Sequence, residues 1–207
     1  MTPESIFYYV HDPMCSWCWA HRPEWDRLKQ ALTPIVTVQT LVGGLAPDSD
    51  VPMPAEQQEA IAGYWRRIEG LLGRPFNYDF WTKNTPRRST YPACRAVIAA
   101  RWQGQDEAMT DALQEAYYLR AMNPSDTETH LTLAAELGLD VDKLARDLMS
   151  AELESAFQDE LTYARQLPIQ GFPSMVLKVG DSMWEVPLDY RDHRGALAFV
   201  QEKLSQS

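Results

Sequence analysis

Two cysteines near the start of the chain, Cys15 and Cys18, are separated by two residues. This spacing serves reversible disulfide exchange, and it also supplies half of the ligands of a zinc site. Zinc would need two further ligands, and the candidates show no second paired spacing; they are Cys94, His11, His21, His130 and His193. Two incidental thiols are a third interpretation. We expect a redox pair that cycles between dithiol and disulfide, with no bound metal or cofactor.

Cys15 is expected at the start of a helix, directly after a strand. Residues 5–11 form an aromatic and β-branched run, which Asp12-Pro13 interrupts because proline cannot donate to a strand pair. The unpaired N–H groups and the positive dipole end of a helix N-terminus stabilise a thiolate. Cysteines in such settings have pKa values of ~3.5–7.5, and the thiolate is the attacking species. Cys18 lies one turn later, close enough to close a disulfide, so we predict Cys15 as the nucleophile and Cys18 as the resolving thiol.

The elements that would position this pair lie at both ends of the chain. The beginning is typical of strand, helix and strand, and the end of two strands and a helix. The predicted ranges are 5–11, 15–32 and 35–42, then 174–179, 183–186 and 191–204. About 120 residues between them are helical almost throughout, with helices predicted over 54–72, 92–103, 106–122, 126–138, from 140 onward, and over 151–167. Because neither end could bury a core alone, we expect the helices to form one inserted bundle.

A second motif, Gly171-Phe172-Pro173-Ser174, comes directly before the third predicted strand. A proline that opens a strand after a glycine is a candidate for a cis peptide bond. When the two ends of the chain fold together, this turn is expected to face the helix that begins at Cys15. The sequence therefore predicts one site built from both ends of the chain.

The family resemblance rests on both motifs. Cys15-Ser16-Trp17-Cys18 after the first strand, Pro23 beyond it, and Phe172-Pro173 before the third strand resemble the thioredoxin-fold disulfide oxidoreductases. The helical insertion resembles the DsbA family, and His11-Asp12-Pro13-Met14, Gly43-Gly44-Leu45 and Pro92-Ala93-Cys94-Arg95 are similar to its FrnE-like branch. The resemblance implies an α/β thioredoxin-like fold with a large all-helical insertion between the βαβ and ββα halves. It places the thioredoxin-like domain at residues 1–44 and 168–207, and the insertion at 45–167.

The resemblance also implies how a substrate is held. Cys15 would form a mixed disulfide with the substrate, and the Phe172 backbone, presented by cis-Pro173, would pair with the substrate as an added strand. Trp17 and Met14 are predicted apolar contacts for the substrate, with local packing as the alternative for each.

One position departs from the family pattern. Many thioredoxin-fold members hold a buried carboxylate six residues before the first cysteine, where this chain has Tyr9. We expect His11, Asp12 or ordered water to relay the proton of the resolving thiol instead. Cys94 is predicted to be a buried structural thiol, with relay of a disulfide as the alternative.

Composition limits the classes of partner. The 207 residues include 19 Lys and Arg against 29 Asp and Glu, a net charge of −10, and 45% are hydrophobic. The negative charge disfavours nucleic acid. No apolar run approaches the roughly 20 residues of a membrane helix, and the first dozen residues lack a signal pattern, so we expect a cytoplasmic location away from membranes. The expected partners are polypeptides bearing thiols or disulfides, or a small thiol such as glutathione.

The sequence thus predicts an enzyme, a protein-disulfide oxidoreductase or isomerase, whose direction depends on its reduction potential. A glutathione-dependent transferase or isomerase related to the kappa-class glutathione transferases is one alternative, although those proteins have a serine where Cys15 stands. A non-catalytic, chaperone-like binder is the other, with Trp17, Trp19 and the helical insertion holding apolar segments.

Overall fold

The computed structural model describes residues 4–206, and within them four strands form one mixed sheet. The strands are β1 (Ser5–His11), β2 (Thr37–Val42), β3 (Ser174–Val179) and β4 (Ser182–Glu185), in the spatial order β2-β1-β3-β4. β1 pairs in parallel with β2 and antiparallel with β3, so that Tyr8 lies opposite Gln39 on one side and Val176 on the other. The strand that leads to the cysteine pair is therefore central in the sheet.

The helices follow the predicted order along the chain. They are α1 (Ser16–Leu32), α2 (Ala55–Leu72), α3 (Phe80–Lys83), α4 (Tyr91–Arg101), α5 (Asp106–Tyr118), α6 (Thr127–Glu136), α7 (Val141–Leu148), α8 (Ala151–Gln166) and α9 (Arg194–Ser205). Among the described residues, no helix combines the length and the apolar character needed to cross a bilayer. The division into 1–44 with 168–207 and 45–167 stays a prediction, and it extends at both ends beyond the described residues.

β1 is buried on both faces because helices cover the sheet on each side. On one face, Phe7 packs in a cluster with Trp25 of α1 and residues of α9. On the other face, Val10 packs in a cluster with Ala164 of α8. A strand covered in this way needs apolar or aromatic side chains at successive positions, which explains the unbroken run over residues 7–10.

The helical bundle shares one hydrophobic core with the beginning of α1. Buried alanines of α4 pack at the centre of this core, and small side chains there let neighbouring helices approach closely. The same core contains Met14 and Trp19, which flank the two cysteines in sequence. The bundle and the cysteine motif are therefore packed as one unit.

Two predicted boundaries shift because local turns engage the backbone. The strand predicted over 35–42 begins at Thr37, since the N–H groups of Ile35 and Val36 both donate to the carbonyl of Leu32 and close the turn after α1. The helix predicted over 106–122 ends at Tyr118, and Ala121 beyond it has a left-handed φ of 53°.

Two further differences lie near the chain's C-terminus and within the bundle. The helix predicted over 191–204 begins at Arg194, because the N–H groups of Arg191 and Arg194 bond the carboxylates of Asp189 and Asp192 in two preceding turns. α3 was not predicted, since its four residues are too few to show helical periodicity.

Candidate active site

The cysteine pair lies where β1 gives way to α1. Cys15 has extended backbone angles and is the N-cap residue of α1, and its carbonyl accepts the first helical bonds, from the N–H groups of Cys18 and Trp19. Its own N–H donates to the carbonyl of Asp12 at 3.0 Å, which fixes the turn between strand and helix. Both thiols are free, with Cys15 6% and Cys18 1% exposed. The predicted position of Cys15, at a helix start after a strand, is the one observed.

The two thiols differ in ionisation although they are neighbours. The hydrogen bond from the Cys18 thiol lowers the pKa of Cys15, and the N–H groups of Cys18 and Trp17 lower it further against burial and the charge of Asp12. Burial raises the pKa of Cys18 well above its usual value, and its thiol bond and charge interaction with Cys15 add to the rise. Cys15 therefore loses its proton more readily than Cys18 does.

The loop before β3 closes one side of Cys15. The Phe172–Pro173 peptide bond is cis, and the Cys15 thiol donates to the Phe172 carbonyl at 3.5 Å. The Phe172 ring lies against the end of β2, where a Cβ on Gly43 would come within 2.0 Å of it. The structure thus brings together both predicted motifs, and Gly43 leaves the space that the ring occupies.

Asp12 is a fully buried carboxylate that fastens the active-site turn to the helical bundle. Its oxygens accept bonds from the N–H of Met14 at 2.8 Å, the N–H of Leu45 at 2.7 Å, the hydroxyl of Thr90 at 2.6 Å and the thiol of Cys94 at 3.5 Å. Burial raises the pKa of Asp12 although these donors pull it down. Asp12 therefore anchors the active-site turn to the helical bundle. The sequence predicted only a place for Asp12 in a proton relay.

The other predicted residues differ in accessibility. Trp17 is half-buried with its ring tilted against that of Tyr190, whereas Met14 is buried in the helical core beside Ser125. Burial lowers the pKa of His11 to about 4, so its side chain is neutral near pH 7. Among these residues, Trp17 is the one that the structure leaves partly open beside the cysteines.

Tyr9, which stands in place of the family's buried carboxylate, is part of an aromatic stack. Its ring lies parallel to that of Trp25 at 3.9 Å between centroids, and its hydroxyl is 3.3 Å from Nδ1 of His21. A cavity of about 290 Å³ adjoins Tyr9 and Cys18 and extends toward α5. Within residues 4–206, no group of three or more His, Cys, Asp or Glu is arranged to hold a metal ion.

Sequence reasoning missed several residues of this site. Thr90, which binds Asp12, directly precedes α4 and a Tyr-Pro pair, a position that signals a helix start and not a partner for a distant carboxylate. Asp111 and Gln114 of α5 line the cavity beside Cys18, and no sequence signal links them to the cysteine motif. Gly43 was predicted only as part of a turn.

Comparisons with known proteins agree on the fold. A thioredoxin family model matches residues 7–184. The ClpXP adapter protein SpxH of Bacillus subtilis is 24% identical over 176 residues, which are 84% of this chain and 58% of that protein. The chain therefore spans less than three fifths of the length of the curated relatives it matches.

Solved structures extend the comparison over nearly the whole chain. A candidate protein disulfide isomerase from Nitrosomonas europaea superposes with a TM-score of 0.86 at 24% identity, covering 98% of both chains. The cytosolic disulfide reductase DsbM from Pseudomonas aeruginosa superposes with a TM-score of 0.78 at 23% identity, covering 98% of this chain and 100% of DsbM. A DsbM structure with GSH gives 0.76 at 24% identity, covering 97% and 99%. The predicted α/β thioredoxin-like fold is confirmed.

Proposed function

The chain belongs to the thioredoxin family, and from this premise we propose that it is a DsbA-like thiol–disulfide oxidoreductase that works through Cys15 and Cys18. The observation that carries the proposal is the asymmetry of the pair: Cys15, at the start of α1, has a lowered pKa, while Cys18 beside it has a raised one. An attacking thiolate next to a protonated thiol is what a two-cysteine exchange reaction requires. The narrower placement in the FrnE-like branch stays a prediction.

The reaction follows from the positions of the two sulfurs. The Cys15 thiolate attacks a substrate disulfide and forms a mixed disulfide, releasing one substrate sulfur as a thiolate. The Cys18 thiol then loses its proton and attacks Sγ of Cys15, which releases the second substrate sulfur and leaves a Cys15–Cys18 disulfide. The substrate gains two electrons and the protein dithiol loses them.

The loop at Phe172 and Pro173 would hold the substrate chain during this exchange. An extended peptide can pair with exposed backbone groups as an added strand. The Phe172 carbonyl lies 3.5 Å from Sγ of Cys15, so a strand paired there would carry its sulfur close to the nucleophile. Trp17, half-buried beside the motif, would provide an apolar contact.

We place the activity in the cytoplasm, with glutathione as the small thiol that returns the disulfide to the dithiol. The similarity to DsbM, described as a cytosolic disulfide reductase and also solved with GSH, supports both statements. Disulfide reduction is the direction that a reducing cytoplasm favours, and the reduction potential of the pair decides between reduction, isomerisation and oxidation.

Two measurements test the proposed function. A glutathione redox titration followed by tryptophan fluorescence should show one two-electron transition, which is absent in Cys15→Ser and Cys18→Ser. Insulin-disulfide reduction should be lost in Cys15→Ser and retained in Cys94→Ala, the matched control for loss of a thiol. If Cys15 and Cys18 stay unlinked in oxidising buffer, the proposed function is wrong.

An adapter role is the second candidate, and the names of the curated relatives favour it. They are called ClpXP adapter proteins, and this chain matches a little under three fifths of their length. A binding role would survive removal of both sulfurs, whereas the proposed exchange reaction would not. Binding of a protein partner by the Cys15→Ser, Cys18→Ser protein, together with unchanged cellular function, would favour the adapter.

A further inference from the structure

The resolving thiol has to exchange a proton in every turnover, yet it is closed off from solvent. Cys18 is 1% exposed. Asp12, one of the predicted relays, is itself fully buried and already accepts bonds from four donors, so a proton passed to it would still have to reach solvent. His11 is neutral and buried as well. A separate route from Cys18 to solvent is therefore required.

The cavity between α1 and α5 provides such a route. Its volume of about 290 Å³ is enough for several water molecules, and most of the side chains that line it carry a polar or charged group. Its buried wall includes Tyr9, Cys18 and Gln114, and its outer part includes exposed or partly exposed residues such as Asp26, Lys29 and Asp111. The cavity thus runs from the resolving thiol to the protein surface.

Gln114 marks this cavity as a place for hydrogen-bonding molecules. Its side chain is 4% exposed, and its Oε1 is buried without a hydrogen-bond donor from the protein. A buried amide oxygen without a donor is unfavourable, and the adjoining cavity has room for a water molecule that donates to it. Gln114 is therefore suited to hold the water that lies between Cys18 and the surface.

Asp111 lines the outer part of the cavity. Its pKa is close to neutral pH, as suits a group that accepts and releases a proton there. Its carboxylate, 46% exposed, is 2.8 Å from the Arg22 guanidinium. Partial burial raises the pKa of Asp111 to about 6 despite Arg22, and three nearby carboxylates add to the rise. They are Asp26 on α1 and Glu107 and Glu115 on α5. Lys29, which also lines the cavity, is paired with Glu107.

We propose that the cavity between α1 and α5 is the proton exit of Cys18, with Gln114 holding its water and Asp111 receiving the proton. This inference rests on the proposed function. In the resolving step the proton of the Cys18 thiol passes through water to the Asp111 carboxylate, while the sulfur of Cys18 attacks Sγ of Cys15. The bond between Cys15 and the substrate sulfur breaks, and the substrate leaves as a thiolate that takes a proton from solvent. On reduction of the protein disulfide the same path runs in reverse.

The test separates the two sulfur steps with 5,5′-dithiobis(2-nitrobenzoate), whose coloured thiolate is released once by Cys15 and once by Cys18. In stopped-flow measurements on the full chain, Asp111→Asn should slow the second release roughly tenfold or more near pH 7 and leave the first unchanged. In the unmodified protein the rate of the second release should show an inflection near pH 6. This inflection should be absent in Asp111→Asn and present in Asp111→Glu.

Glu115→Gln is the matched control, since Glu115 also pairs with Arg22 but lies outside the cavity lining. It should leave the rates of both releases at pH 7 unchanged, although loss of a carboxylate near Asp111 should move the inflection of the second release to lower pH. Gln114→Leu should slow the second release alone, with circular dichroism used to check the fold. An Asp111→Asn protein with an unchanged second release and pH profile overturns the inference while leaving the proposed function intact. If Cys15→Ser keeps the first release, the proposed function itself is wrong and the inference fails with it.

Discussion

The thiol of Cys94 lies 3.5 Å from Oδ2 of Asp12, so the third cysteine of the chain is bonded to the turn that presents the other two. Cys94 is fully buried in α4, and burial raises its pKa well above the usual value. A protonated thiol in this position donates to a carboxylate and fills core volume. The predicted structural role of Cys94 fits this contact better than relay of a disulfide does.

Replacing Cys94 with alanine should therefore destabilise the protein without removing exchange activity. Loss of a buried side chain and of one donor to Asp12 should lower the free energy of unfolding by about 1–3 kcal/mol. Urea unfolding measures this loss, and insulin reduction at a temperature where the variant is folded measures activity. Loss of activity in the folded variant would show that Cys94 takes part in the reaction.

Asp12→Asn should make the Cys15 thiolate easier to form. The charge of Asp12 raises the pKa of Cys15, so its removal should lower that pKa. Thiolate absorbance against pH measures the change. The variant should also lose about 1–3 kcal/mol of stability, because an amide cannot accept from every present donor. Asp48→Asn, which alters an exposed ion pair with Arg95, should leave the Cys15 titration unchanged.

Gly43→Ala should impair the loop that holds the substrate. The new methyl group would lie 2.0 Å from the Phe172 ring, which must then leave its place beside the end of β2. A displaced loop should reduce kcat/KM for a peptide disulfide by roughly tenfold to a hundredfold. Gly171→Ala is the control, because its added methyl group meets no atom within 4 Å. Equal activity of the two variants would show that the ring position does not matter.

Stability should decrease as the pH falls from about 6.5 toward 4. Burial lowers the pKa of both His11 and His21 to about 4, so in this interval the unfolded chain binds protons that the folded protein refuses. The contribution of each histidine, roughly 3 kcal/mol, is complete above pH 6.5 and is lost through the interval. Urea unfolding at several pH values measures the slope. His21→Asn should reduce that slope, and an unchanged slope would contradict the burial of His21.

Local patterns were enough to predict much of the fold and the two motifs that meet at the candidate site. The apolar run over 7–10, the Cys-x-x-Cys spacing and the Phe172-Pro173 motif each lie within a short segment, so they can be recognised without knowing the packing. The contacts of Asp12 with Thr90 and Cys94 could not be recognised in this way, since they join the N-terminal turn to a helix about eighty residues later. Asp111 and Gln114 lie on an ordinary amphipathic helix, and only its packing beside α1 places them near Cys18.

The hydrogen bond from the Cys15 thiol to the Phe172 carbonyl couples the ionisation of Cys15 to the binding of a substrate strand at that carbonyl. A thiolate has no hydrogen to donate, so loss of the Cys15 proton frees that carbonyl for the N–H of an incoming strand. Affinity for an extended peptide should then rise over the same pH interval as reactivity, with no backbone movement. Deprotonation of Cys15 would thus favour docking as well as attack, because the carbonyl then no longer accepts a bond from the thiol.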